Sequence, residues 1–190
     1  NLIVENFKSF ITEEAVGDKI TVLILTNSKS KKPEVVTGML LAACSDLGLP
    51  CYRVVTTEAW VSDNDIEKGI VSIKNYDGEE KDIEVETAST VVFVRAGVLQ
   101  DEIGLALLGT LQNAGCMMIN DRDGMLTCDN KMSSYTSFER NNINTPRTSL
   151  VNNEKSIIDA HERIGGKFPV IIKTLTGTQG IGVSKVESME

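Results

Sequence analysis

Residues 168–183, Phe168-Pro-Val-Ile-Ile-Lys-Thr-Leu-Thr-Gly-Thr-Gln-Gly-Ile-Gly-Val183, join one apolar, β-branched run to another through a short Thr/Gly/Gln loop. The first run ends on Lys173, and Gly177, Gly180 and Gly182 punctuate the loop. β-Branched residues favour strands, and glycines allow backbone conformations and close approaches that other residues resist. A strand–loop–strand of this kind can fold backbone amides over a polyphosphate while the lysine supplies a compact positive charge. Two other phosphate loops are excluded by residue order. A P-loop places its glycines before Gly-Lys-Ser/Thr, whereas here Lys173-Thr174 come first. A dinucleotide fingerprint reads G-x-G-x-x-G and opens a helix, whereas this loop reads G-x-x-G-x-G and leads into a strand pattern. The chemistry to expect is ATP handling.

Upstream, Thr21-Val-Leu-Ile-Leu-Thr26 is a continuous apolar run of strand length, the pattern of a strand covered on both faces. Val35, Val36, Met39, Leu40, Ala43 and Leu47 recur at helical spacing over 34–47, with Gly48 as cap and Pro50 beyond. A second strand follows over 51–56, and this β–α–β order implies a parallel sheet. Over 70–86, apolar and polar residues alternate around Asp77-Gly78, the signal of an exposed two-stranded ribbon. A strand over 91–94 ends at Arg95, a helix spans 103–111, and a short strand runs 116–119. Beyond Asn120 the pattern predicts a helix over 129–140, an extended piece over 147–151 and a helix over 155–164 closed by Gly165-Gly166. The boundary therefore falls between an α/β domain over 1–122 and a second unit over 123–190. The second unit ends after a strand with no partner strands left, so the native polypeptide is expected to continue.

Composition narrows the function. The net charge of −8 argues against sequence-independent nucleic-acid binding, and Lys29, Lys31 and Lys32 read as a solvated loop. No run of about 18 apolar residues occurs, so no membrane span is expected. The opening residues lack the basic head and apolar middle of a signal peptide, and the missing methionine implies a trimmed start. Cys44, Cys51, Cys116 and Cys128 show no C-x-x-C spacing, and Cys44 and Cys116 sit in apolar contexts. They read as small buried hydrophobes in a reducing compartment, hence a cytoplasmic protein. His161 reads as a solvated side chain, Trp60 as a packing anchor, and Asp121 and Asp123 as loop or helix-start charges rather than metal ligands.

With these residues in hand, the chain resembles the RimK-type ATP-grasp ligases. Their corresponding segment runs from a proline through apolar residues and a lysine to Gly-Thr-Gln-Gly-Ile-Gly-Val, as residues 177–183 do here. The stretch from Asn120 to Lys131, with Asn144-Thr-Pro146, is similar to the family's Asn…Asp-Lys…Pro pattern, except that Asn130 stands where Asp is usual. The resemblance implies a pre-ATP-grasp parallel-sheet domain followed by the first, incomplete α+β subdomain of an ATP-grasp fold. It implies ATP contacts from Lys131, Lys173, Gly177, Thr178, Gln179, Gly180, Ile181 and Gly182, and a substrate carboxylate at Arg95. Arg95 is equally read as an ion-pair partner of Asp101 or Glu102. The implied cofactors are ATP and Mg²⁺, with the metal ligands expected outside this chain and this fragment inactive alone. The implied reaction adds an amino acid such as glutamate to a protein or small-molecule carboxylate through an acylphosphate. Ligases of this type often associate, so a homo-oligomer and a monomer both stay open. Two other readings stand beside it: a non-catalytic binding module with a relic nucleotide loop, and transfer of phosphate to a hydroxyl.

Overall fold

Successive side chains of a strand point to opposite faces, and Val22, Leu23, Ile24 and Leu25 are all fully buried. Their sheet is therefore covered on both sides. The computed structural model describes residues 20–28, 33–61, 68, 70–76, 80–95, 97–177 and 180–189. It divides into two compact units, Asn1–Arg122 and Asp123–Glu190. The first unit runs β1 (Thr21–Thr26), α1 (Val35–Asp46), β2 (Cys51–Val55), β3 (Ile70–Tyr76), β4 (Glu80–Glu86), β5 (Thr90–Val94), α2 (Glu102–Asn113) and β6 (Met117–Ile119). Four strands form a sheet of order β2-β1-β5-β6, parallel throughout. The predicted α/β class with a parallel sheet is what the chain adopts.

Leu108 and Leu111 of α2 are fully buried, as are Val54, Val55 and Val92 in the strands. Each such side chain stabilises the fold by about 1.5–3 kcal/mol relative to exposure. Helix α1 differs from expectation in its face. Val35, 80% exposed, and its neighbour Val36 point outward, while Thr37, Leu40, Ala43 and Cys44 form the buried stripe. The helix is apolar almost all round, so its periodicity could not choose the face. It ends as the sequence predicts: Gly48 takes φ +69° and the Leu49 N–H returns to the Cys44 carbonyl at 2.9 Å.

Asp101 caps α2, its carboxylate accepting from the Ile103 N–H at 3.2 Å. Beneath that first turn the chain passes so close that a Cβ on Gly104 would lie 2.6 Å from the Val98 carbonyl oxygen. Because that neighbour is backbone, it cannot swing aside. Gly104→Ala is expected to destabilise the fold by about 1–3 kcal/mol, read as a lower urea midpoint with an unchanged slope.

Strands β3 and β4 form the predicted antiparallel ribbon, with Val71 opposite Val85 and Ile73 opposite Ile83. Ile83 and Val85 are buried and Glu84 is exposed, so β4 shows the expected alternation. The Asp77-Gly78 turn and the Lys29, Lys31, Lys32 cluster lie outside the described residues. Trp60 is 48% exposed and is not the packing anchor expected of it.

The next elements are α3 (Arg122–Asp129), α4 (Lys131–Arg140), α5 (Lys155–Ile164), β7 (Val170–Lys173) and β8 (Val183–Val186). The helix expected over 129–140 starts later than predicted, at Lys131, and α3 precedes it. Asn130 causes the break: it leaves helical torsions, with φ −94° and ψ 114°, and its side chain accepts from the Met132 and Ser133 N–H groups. Residues 147–151 form no strand. His161 is not solvated as expected. Its ring stacks on Phe168 at 4.4 Å, and Nε2 is shut off from solvent with no hydrogen-bond partner.

Candidate functional site

Antiparallel pairing sets Val170 opposite Val186 and Lys173 opposite Val183, so β7 and β8 are one hairpin whose connection is the glycine loop. The loop leaves the ladder in an ordered way. The Thr174 N–H donates to the Gly182 carbonyl at 2.9 Å, and the Val183 N–H donates to the Gly180 carbonyl at 3.2 Å. Thr174 Oγ1 donates to the Thr176 carbonyl at 2.7 Å. Gly182 at φ +72° and Gly177 at φ +120° hold left-handed torsions that a side chain would strain. A Cβ on Gly182 would meet Thr174 Oγ1 at 2.5 Å, whereas one on Gly180 would meet nothing within 4 Å.

Lys131 ties α4 to this loop twice. Its backbone N–H donates to the Leu175 carbonyl at 2.9 Å, and its ammonium Nζ donates to the Gly177 carbonyl at 3.2 Å. Residues 46 positions apart in sequence are thereby brought together. Lys173 ends β7 with an exposed side chain that makes no ion pair with any described residue. Ile181 is exposed at the far side of the loop, and Thr178 and Gln179 lie outside the described residues. Sequence reasoning missed Thr174, which shapes the loop through both its backbone N–H and its hydroxyl, and the capping role of Asn130. A polar residue directly before a helical lysine was the available signal for the cap. Asn130→Ala is expected to lower stability by about 1 kcal/mol, whereas Asn130→Asp retains the cap. Thermal midpoints of the two variants check this: equal losses would remove the capping role.

Arg95 belongs to the first unit. Its backbone N–H donates to the Leu25 carbonyl at 2.9 Å, continuing the β5–β1 pairing past the strand end. Neither Asp101 nor Glu102 forms an ion pair with it, and its Nε is shut off from solvent with no hydrogen-bond partner. Among the described residues, no group of three or more His, Cys, Asp or Glu side chains gathers into a possible metal site. No helix of the described residues is long and apolar enough to cross a membrane.

Comparison with known proteins meets this geometry. Residues 128–189, which hold α4, the hairpin and its loop, match the RimK-like ATP-grasp domain. A probable alpha-L-glutamate ligase of Rhodopirellula baltica is 34% identical over 99 residues, covering 52% of this chain and 24% of that protein. The probable alpha-L-glutamate ligase 1 of Shewanella sp. (strain ANA-3) is 28% identical over 160 residues, covering 84% of this chain and 50% of the relative. The chain thus spans half or less of the length of these curated relatives. In structure, the RimK domain protein ATP-grasp from Sphaerobacter thermophilus matches with a TM-score of 0.60 at 19% identity, over 88% of this chain and 54% of that one. The resemblance to RimK-type ATP-grasp proteins read from the glycine loop is borne out.

Proposed function

We propose that this chain is part of an ATP-dependent ligase that joins a carboxylate to an amine. One observation carries the reading: the Lys131 ammonium is bonded to the Gly177 carbonyl of a left-handed glycine loop that begins directly after Lys173. That arrangement puts flexible backbone and lysine charge in one place, as triphosphate binding demands. Lys173 neutralises the α-phosphate and approaches the adenine edge, Lys131 serves the phosphate side, and the loop from Thr176 to Gly180 closes over the phosphates and excludes water, with Ile181 and Gly182 also at the nucleotide. Mg²⁺, when bound, would neutralise phosphate charge, held by ligands that this reading places outside the chain.

Phosphoryl transfer to the substrate carboxylate gives an acylphosphate, and an amine displaces phosphate from it to form the amide. Positioning and electrostatic stabilisation supply most of the catalysis in such transfers. Arg95 holds a substrate carboxylate. It stands at the carboxyl end of β5 beside β1, the point where strand order reverses and ligands of open α/β sheets bind. The names of the relatives favour glutamate as the amino acid added. The acceptor in this reading is a protein or small-molecule carboxylate, and the setting is the cytoplasm.

The test uses the full-length protein with ATP, Mg²⁺, glutamate and a panel of carboxylate acceptors, the products read by mass spectrometry. An amide together with ADP and phosphate is expected. A phosphoester product, or no ATP binding in calorimetry, overturns the ligase reading.

A further inference from the structure

The nucleotide reading leaves Cys44 and Cys51 unused, yet the fold sets them against each other. Cys44 lies near the end of α1, wholly out of solvent, and Cys51, half-buried, opens β2 opposite Val22. The chain between them turns a tight corner, closed by the Leu49 N–H on the Cys44 carbonyl. Both side chains pack on one cluster with Val22, Ile24 and Leu40. The Cys51 thiol is hydrogen-bonded to the Cys44 sulfur, and this draws the Cys44 thiol below its usual range against the opposing effect of burial. Cys116 is the contrast: burial alone acts on it and pushes it up to about 11. The attacking species in disulfide exchange is the thiolate, and the shared packing of the two side chains keeps Cys44 beside whatever forms on the Cys51 sulfur.

We propose that Cys51 is a modification site for low-molecular-weight disulfides of the glutathione class, and that Cys44 is its built-in resolving thiol. Solvent access decides the order of events. Cys51 loses its proton to water and attacks one sulfur of the disulfide; that S–S bond breaks, and one glutathione leaves as thiolate. Cys44 then gives its proton to the departed glutathione thiolate and attacks the Cys51 sulfur of the mixed disulfide; that S–S bond breaks, and the second glutathione leaves as a thiolate that takes a proton from water. The two cysteines lose two protons and two electrons in all, and the electrons reside on the two glutathione thiols. The product is a Cys44–Cys51 disulfide that ties the end of α1 to the start of β2.

The experiment incubates the folded protein with glutathione disulfide and maps the cysteine peptides by mass spectrometry. Wild type is expected to lose two hydrogens in a linked Cys44–Cys51 peptide, with a transient adduct on Cys51. Cys44→Ser should trap that adduct permanently, and Cys51→Ser should leave position 44 unmodified. Exposed Cys128 forms an ordinary adduct in every sample and reports that the reagent is active. The proposal is overturned by a permanent Cys51 adduct in wild type, by a link to Cys116 or Cys128, or by no reaction at either residue. Should Cys44→Ser fail to fold, wild type and Cys51→Ser decide the matter alone. Nucleotide binding plays no part in these readouts, so their failure leaves the ligase reading standing.

Discussion

Replacing Lys173 with alanine in the full-length protein is expected to weaken binding of a non-hydrolysable ATP analogue by about 10- to 100-fold. The magnitude follows from chemistry: a hydrogen bond to a charged group contributes about 1.5–3 kcal/mol, and each 1.4 kcal/mol is tenfold in affinity. Lys173 is exposed and makes no ion pair with any described residue, so its removal should cost the fold little and the nucleotide much. Lys131→Ala differs in kind. It deletes a phosphate-side charge and also the bond that holds the Gly177 carbonyl. Its loss of affinity should therefore come with a looser loop, read as faster hydrogen exchange over residues 174–182. Lys173→Ala should leave that exchange unchanged. Calorimetry showing equal affinity for Lys173→Ala and wild type would return Lys173 to the status of a solvated strand-end lysine.

The two lysines also show how far the sequence could be read. The apolar run over 21–26 and the alternation over 70–86 state their partners' geometry directly, because a strand's burial is written in its period. The glycine loop was legible for a different reason: few residue strings combine left-handed backbone with an adjacent cation. What stayed hidden depends on contacts distant in sequence. Nothing local to Lys131 says that its ammonium reaches Gly177, and nothing around His161 says that Phe168 covers it. Helix α1 failed for want of contrast, since Val35 and Leu40 look alike on paper and end on opposite faces. The break at Asn130 went unread because a capping asparagine inside a polar stretch resembles any other surface residue until its neighbours' N–H groups turn toward it.

The sharpest test of the loop is a pair of glycines with similar torsions and different surroundings. Gly180 and Gly182 both hold left-handed torsions, φ +78° and +72°, so alanine at either position incurs a similar backbone strain of about 1–2 kcal/mol. Around Gly180 the space is open, but at Gly182 the new methyl would meet Thr174 at Oγ1 2.5 Å, Cγ2 2.7 Å and Cβ 3.1 Å. Thr174 is β-branched and stiff at χ1, and its hydroxyl is committed to the Thr176 carbonyl, so it cannot yield without releasing the loop. Gly182→Ala should therefore weaken nucleotide binding well beyond Gly180→Ala, by a further factor of about ten or more. Thr174→Ala removes two of the three clashing atoms. Added to Gly182→Ala, it should restore part of the affinity, a non-additivity expected only of residues in contact. Equal losses at the two glycines, or a double variant no better than Gly182→Ala, would mean that the packing of Gly182 against Thr174 does not set the loop's nucleotide-binding shape.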